Sequence, residues 1–164
     1  MKKLLSLALA CCAALFVSTG CGGAPQLDGL ESYSGVVTLD GAPLAGASIT
    51  LVPTTVGVRG AGAMSDDKGK FVFQTLQAGD GVAPGEYKVT VSKFHIENAY
   101  TEEEQKIFNE AGGKRHNEVF PDRPEPESVP EIPLYYNNAD QSGLTLSLPE
   151  GGSKDLKIEL SSEE

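Results

Sequence analysis

Apolar and polar residues alternate with a period of two in six short stretches of the chain, each bounded by turn residues. The stretches are 33–39, 47–51, 71–73, 87–91, 144–148 and 156–160. Successive side chains of a strand point to opposite sides, so this alternation predicts six strands with one buried and one wetter side. A seventh strand is expected within 54–65, where glycines weaken the pattern.

The buried sides of these strands must meet each other, because a slip of one residue would expose their apolar side chains to water. Turn sequences such as Asp40-Gly41 and Pro84-Gly85 join the strands, whereas a parallel sheet requires helical connections. The predicted fold class is therefore all-β, with about seven strands in two antiparallel sheets that pack face to face as a sandwich.

Residues 95–133 interrupt the alternation and form a predicted insertion. Thr101 and Glu104 have the spacing of a capping box, and the apolar residues that follow, ending at Gly112-Gly113, predict one short helix. Five prolines within 121–133 exclude a central strand, so this part should be extended or polyproline-like. The insertion holds ten acidic and four basic residues and is expected to be exposed.

The first twenty residues have the layout of an export signal, with two lysines, an apolar run and small residues before Cys21. The apolar run 4–17 would measure about 21 Å as a helix, less than a hydrocarbon core of about 30 Å, which disfavours a permanent span. The motif Ser18-Thr19-Gly20-Cys21 resembles the lipobox of bacterial lipoproteins. The predicted organisation is a signal peptide 1–20, a flexible tether 21–31 and a folded domain 32–162.

This resemblance implies that Cys21 carries a thioether-linked diacylglycerol and an acylated amine, which would hold the protein on a membrane. Cys11 and Cys12 leave with the signal peptide, so no internal disulfide is expected. In some lipoproteins an aspartate after the acylated cysteine retains the protein at an inner membrane. This chain has Gly22 at that position, which favours the outer membrane. The alternative is an ordinary secretory signal with an unmodified Cys21.

The chain of 164 residues is acidic, with 13 basic and 23 acidic residues and a net charge of -10. Removal of Lys2 and Lys3 with the signal peptide makes the mature protein more acidic by two charges. Such a charge repels a phosphate backbone, so no nucleic-acid partner is predicted.

His95 and His116 are the two side chains that titrate near neutral pH, and both are expected on solvated loops. The paired cysteines of a zinc deaminase and a His-x-x-Glu zinc motif are missing, as is a Gly-x-Ser-x-Gly elbow. The carboxylates of Asp66, Asp67 and Asp80 are interpreted as solvated rather than as calcium ligands. The sequence predicts no enzyme, no cofactor and no metal site.

Four aromatic residues outside the strand pattern are candidates for ligand binding: Tyr100, Phe120, Tyr135 and Tyr136. Sandwich domains can present aromatic platforms to sugar rings, which makes carbohydrate binding one interpretation. The other interpretation is that these rings anchor the insertion onto the sandwich.

Four segments resemble a known family. They are GVVTLDGAPLAGASITLVP at 35–53, SDDKGKF at 65–71, GDGVAPGEYKVTV at 79–91 and IPLYYNNADQSGL at 132–144. Together they resemble the carboxypeptidase regulatory-like domain, a prealbumin-like (transthyretin-like) β-sandwich found in small bacterial lipoproteins. The resemblance implies a fold more than an activity. The related hydroxyisourate hydrolases end in Tyr-Arg-Gly-Ser, whereas this chain ends Leu160-Ser-Ser-Glu-Glu164, so that activity is not implied.

These observations lead to one functional expectation and one alternative. The expected protein is a noncatalytic, lipid-anchored cell-envelope protein whose sandwich is a structural or protein-interaction module in the periplasm or at the cell surface. The alternative is a carbohydrate-binding envelope lipoprotein. The expected partners are the membrane, through Cys21, and an envelope protein or polysaccharide.

Overall fold

The computed structural model describes residues 28–163, and most of its regular structure is antiparallel β-strand. Cys21, the predicted signal peptide and most of the predicted tether lie outside these residues. The first long-range pairing is a β-bridge between Glu31 and Val82. The strands are β1 Tyr33–Leu39, β2 Ala42–Pro43, β3 Ser48–Pro53, β4 Ala61–Met64, β5 Lys70–Val72, β6 Gly85–Ser92, β7 Phe94–Glu97, β8 Glu127–Pro130, β9 Thr145–Leu148 and β10 Ser153–Leu160. The helices are α1 Glu102–Glu110, α2 His116–Val119 and a 3-10 helix Leu134–Asn137.

All six alternating stretches form strands, and the predicted seventh strand is β4. Strands β4, β3, β6 and β9 form one antiparallel sheet in that order. In β6 the burial alternates as the sequence pattern requires, with Tyr87, Val89 and Val91 buried and the residues between them partly exposed. The pattern therefore predicted both the presence and the inward side of these strands.

The second sheet is built around β1, which pairs with β10 on one side and with β2 and β5 on the other. Strand β10 runs parallel to β1, so the prediction of purely antiparallel sheets was wrong for this pair. The two strands are the first and last of the domain, and no hairpin turn joins them. Apolar alternation looks the same for either strand direction, which is why the sequence pattern could not reveal it.

Gly35 lets β10 lie close to β1. A Cβ atom at this position would lie 2.1 Å from the carbonyl oxygen of Leu156 and 2.7 Å from its Cβ. The register shifts at the same place, because Tyr33 is opposite Ser153 whereas Gly35 is opposite Leu156. The glycine therefore makes room for an irregularity in β10 that any side chain would displace.

The two sheets contribute to one hydrophobic core. Among the residues described, its largest fully buried side chains are Tyr33, Tyr87, Phe71, Phe73, Ile49, Leu51, Val37, Val82, Val89 and Val91. The rings of Phe71 and Phe73 lie 4.9 Å apart between centroids. The buried polar groups are bonded as well: the Ser65 hydroxyl donates to the Leu44 carbonyl and accepts from the Ala47 N–H.

The insertion forms its own small sheet instead of joining the larger two. Strand β7 pairs antiparallel with β8, and α1 and α2 lie between these strands in the chain. The predicted capping box is present, with the Thr101 side chain accepting from the Glu104 N–H and the Glu104 carboxylate accepting from the Thr101 N–H. Strand β8 tolerates Pro130 because it is an edge strand of a two-stranded ribbon.

Candidate functional site

A cluster of aromatic rings lies inside the insertion and brings together residues far apart in the chain. The Tyr100 ring stacks on Phe108 of α1 and on His116 of α2, with centroid distances of 5.2 and 5.7 Å. Phe120 packs against Tyr100 and His116, with ring centroids 5.5 and 5.8 Å away. The sequence-predicted residues Tyr100 and Phe120 therefore contact each other, and their rings pack the insertion together.

His116 is buried, with 8% of its surface exposed, so the prediction that it lies on a solvated loop was wrong. Its Nε2 lies 2.7 Å from the Arg123 carbonyl oxygen, and its Nδ1 lies 2.5 Å from the Tyr100 hydroxyl. A carbonyl oxygen only accepts, so Nε2 carries a hydrogen; in the tautomer with its one hydrogen on Nε2, Nδ1 accepts from the Tyr100 hydroxyl. Both ring nitrogens are thus used in holding α2 to the rest of the insertion.

Arg123 clamps the start of α1. Its guanidinium donates from Nε to Glu104 Oε1 at 2.8 Å and from Nη2 to Oε2 at 3.2 Å. It also donates to the backbone carbonyls of Asn98 and Ala99, at 2.9 and 2.8 Å. The guanidinium carbon lies 4.8 Å from the centroid of the Tyr100 ring, within the range of a cation–π contact.

The charge of Glu104 is stabilised by this arrangement. The backbone N–H of Thr101 is the main reason why the pKa of Glu104 lies below its ordinary value, and the Thr101 hydroxyl and Arg123 lower it further. Burial acts in the opposite direction and is outweighed. One carboxylate therefore serves both the helix cap and the arginine clamp.

Tyr135 and Tyr136 occupy a different place, on the 3-10 helix beside the larger sheets. Tyr136 is buried at 6% exposure, and its hydroxyl accepts from the Ser161 N–H at 2.9 Å. Tyr135 is half-buried and packs against the core, with its ring centroid 4.3 Å from that of Tyr136. The four candidate aromatics thus belong to two separate sets, and carbohydrate binding by them stays a prediction.

His95 lies on strand β7 rather than on a loop, and about half of its side chain is exposed. Its ring nitrogens lie 3.7 Å from a Glu97 oxygen and 3.6 Å from a Glu131 oxygen. Glu131 also pairs with Lys93 at 2.6 Å, so these charged residues link the base of the ribbon to the end of β6. The exposed position agrees with the expectation of a solvated histidine.

Two of the three aspartates, Asp66 and Asp80, accept backbone N–H groups within turns. Asp66 Oδ1 accepts the N–H groups of Lys68 and Lys70, and these bonds hold the pKa of Asp66 below its ordinary value. Asp80 accepts three N–H groups from residues 75–77; burial raises its pKa, but these bonds outweigh burial and lower it. Within residues 28–163, no group of three or more His, Cys, Asp or Glu is placed to hold a metal ion.

The sequence-based prediction missed the bonds that join Tyr100, His116 and Arg123. A usable signal was the spacing of aromatic residues at 100, 108 and 120 around a histidine in an otherwise polar segment. Such a set of rings in a mostly polar insertion indicates a local cluster. No helix in the described part of the chain is long and apolar enough to cross a membrane.

Comparison with known proteins does not identify a family. No protein-family model matches the chain, and no curated protein matches it in sequence. Among solved structures, it is similar to part of a 9R-lipoxygenase from Cyanothece PCC8801, with 12% identity and a TM-score of 0.36. The match covers 88% of this chain and 18% of the lipoxygenase, and it carries neither a fold assignment nor an activity.

Proposed function

We propose that this chain is a noncatalytic, lipid-anchored protein of the bacterial cell envelope, in which a prealbumin-like β-sandwich carries an ordered insertion that binds a partner protein. The sandwich interpretation is supported by two four-stranded sheets that share one hydrophobic core. The noncatalytic interpretation is supported by His116, because both of its ring nitrogens are engaged in structural hydrogen bonds.

The observation that carries the proposal is the self-contained insertion. Between Phe94 and Pro130 the chain closes on its own ribbon and aromatic cluster, and eight of the nine acidic side chains in this range are exposed. Glu104 is the half-buried exception. A surface segment that is ordered before it meets a partner loses less conformational freedom on binding. The excess of carboxylates favours a basic protein surface as the partner.

The anchor would place this module at a membrane. Cys21 precedes the first bridged residue, Glu31, by ten positions. Several acyl chains on that cysteine would hold the protein stably, since each buried methylene contributes about 0.8 kcal/mol. The domain would then lie in the periplasm or at the cell surface, with the outer membrane favoured by Gly22.

Metabolic labelling with an alkyne analogue of palmitate tests the anchor. We expect the wild-type protein to take up the label and to fractionate with membranes, and Cys21→Ala to lose both properties. Cys11→Ser is the matched control, because this cysteine leaves with the signal peptide. An unlabelled wild-type protein would refute the lipid anchor.

Site-specific photocrosslinking in intact cells tests the role of the insertion. A photoreactive residue replaces exposed Glu103 of α1 in one variant and exposed Thr50 of β3 in a control variant. We expect a discrete protein adduct at position 103 that weakens when Glu102 and Glu110 are changed to Gln, and none at position 50. Equal adducts at both positions, or none at either, would contradict the proposed binding surface.

A further inference from the structure

A shallow concavity of about 370 Å³ lies on the exposed side of the sheet built around β1. Val36 is opposite Lys157 of β10 and opposite Lys70 of β5, so these three side chains share one side of the sheet. Val72, which is 54% exposed, and Lys154 line the same concavity. The result is an apolar surface bordered by three ammonium groups.

The lysines are unusual in so acidic a protein. Apart from Lys2, Lys3 and the four basic residues of the insertion, seven of the 13 basic residues remain, and three of these seven line the concavity. One carboxylate, that of Asp155, lines it as well. None of the three lysines forms an ion pair within the described residues, whereas Lys88 and Lys93 both do.

Strand β1, the first strand of the described chain, begins next to this surface. The Ser32 carbonyl accepts the Ser153 N–H at 3.1 Å, and Tyr33 is opposite Ser153, the residue before Lys154. Cys21 and Glu31 are ten positions apart, which spans at most about 35 Å when the chain is fully extended. An anchor at Cys21 would therefore keep the lysines within a short distance of the bilayer that holds it.

We propose that this lysine surface, formed by Lys70, Lys154, Lys157, Val36 and Val72, rests on the anionic headgroups of that bilayer and sets the orientation of the anchored domain. This inference depends on the lipid anchor proposed above. Negative headgroups attract the three ammonium groups and repel the rest of the acidic protein, so one orientation is favoured. Each lysine near the surface strengthens contact roughly fivefold, and its methylene stem covers the neighbouring valines.

The test uses the full lipidated protein in vesicles of phosphatidylcholine alone or with about 30 mol% phosphatidylglycerol. A thiol-reactive fluorophore is attached to the cysteine of Val72→Cys. The label goes to this position alone, because the sulfur of an acylated Cys21 is blocked. We expect lipids with a headgroup quencher to quench this fluorophore at least about twofold more in anionic than in neutral vesicles, and about 0.5 M salt to abolish the difference. The same label at Thr50→Cys of β3 should show no such difference.

A charge-matched pair of variants isolates the lysine surface. The triple variant K70E/K154E/K157E should lose the anionic-lipid quenching, and K70Q/K154Q/K157Q should reduce it severalfold. The control K106E/K114E/R115E makes the same change in net charge within the insertion and should retain it. Thermal unfolding of each variant checks that the fold is kept.

Quenching at position 72 that is absent or independent of lipid charge, in protein that floats with the vesicles, would overturn the orientation and leave the anchor standing. Protein that floats with neither type of vesicle would refute the anchor and, with it, this inference. A third outcome would also overturn it. If position 72 crosslinks to the insertion of a second copy in neutral vesicles, an acidic protein surface rather than the bilayer occupies the site.

Discussion

Eighteen buried apolar side chains are found in the described residues, and none of them lies between Phe94 and Pro130. Within that part of the insertion the one buried side chain is His116, held by two hydrogen bonds and two neighbouring rings. The two large sheets are thus stabilised mainly by the removal of apolar surface from water, and the insertion by a small set of half-buried rings together with directional polar contacts.

This difference predicts two levels of stability within one chain. Apolar burial in the sheets acts cooperatively across many residues, whereas the insertion depends on a few groups that can be removed one at a time. The insertion should therefore open locally while the sheets stay folded. For a segment proposed to bind a partner, this means that its order can change while the two large sheets stay folded.

The largest effect is expected from Phe73→Ala in the shared core. Phe73 is fully buried and packs against Phe71, so its truncation should lower the free energy of unfolding by about 3–5 kcal/mol. Urea unfolding followed by circular dichroism measures this loss. Thr50→Ala, at an exposed position of β3, is the control and should change stability by less than about 0.5 kcal/mol. A loss for Phe73→Ala as small as that of the control would contradict the shared core.

Arg123→Ala should open the insertion and leave the sheets intact. The substitution removes charge-assisted bonds to Glu104 and to two carbonyls, with an expected local loss of about 1.5–3 kcal/mol. Hydrogen exchange read by mass spectrometry should show faster exchange in peptides from 94–130 and unchanged exchange in β3 and β6.

Two further variants sharpen the role of Arg123. Arg123→Lys keeps the charge but loses the planar guanidinium. The hydrogen-exchange protection of the insertion in this variant should therefore lie between that of Arg123→Ala and that of the wild type. Arg115→Ala is the matched control, since the Arg115 side chain is 80% exposed and its ion pair is with nearby Glu118 of α2. Loss of protection throughout the domain would show that the insertion and the sheets unfold as one unit.

The sheets and the insertion also differ in how far the sequence predicts them. In the sheets, burial follows a local period, so residues such as Val89 and Val91 could be assigned to the core from their neighbours alone. The capping box of α1 could likewise be predicted from neighbouring residues, because Thr101 and Glu104 are three residues apart. The parallel direction of β10 depends on the course of the whole chain, which no local period encodes.

The buried histidine illustrates why the candidate site was only partly predicted. His116 is flanked by glycines, charges and prolines that are typical of an exposed loop. Its burial depends on Tyr100, sixteen residues earlier, and on the Arg123 carbonyl, seven residues later. Contacts of this kind are set by how short elements turn back on each other, so the aromatic candidates could be named but their partners could not.

A smaller effect is expected from Tyr100→Phe. The ring keeps its stacking on Phe108 and His116, but His116 Nδ1 loses its hydrogen-bond donor, at an expected local cost of about 1 kcal/mol. Exchange protection of α2 measured by nuclear magnetic resonance should fall by roughly fivefold, while that of β6 stays constant. Tyr135→Phe is the control, since Tyr135 lies on the 3-10 helix outside the insertion. If the exchange protection of α2 does not change, packing of the rings alone holds the histidine in place.

The smallest effect is a pH dependence confined to the insertion. Because bonds from Thr101 and Arg123 lower the pKa of Glu104 in the folded state, its contribution to stability is complete above the ordinary glutamate pKa of 4.5. The contribution is lost as the pH falls through the still lower pKa of the folded state. Exchange protection of α1 should therefore decrease, relative to that of β3, when the pH falls from about 5 to about 3.

Glu104→Gln separates this titration from the loss of the helix cap. Glutamine can still accept the Thr101 N–H as part of the capping box, but it does not ionise in this range. Protection of α1 in this variant should be lower than in the wild type at pH about 5 and should change less on acidification. An equal pH dependence in both proteins would assign the effect to other groups, such as Asp66 or Asp80, whose pKa values are also lowered but which lie in turns of the main domain. In that case the acid sensitivity would belong to the sheets, and the contrast between an apolar core and a polar insertion would not extend to pH.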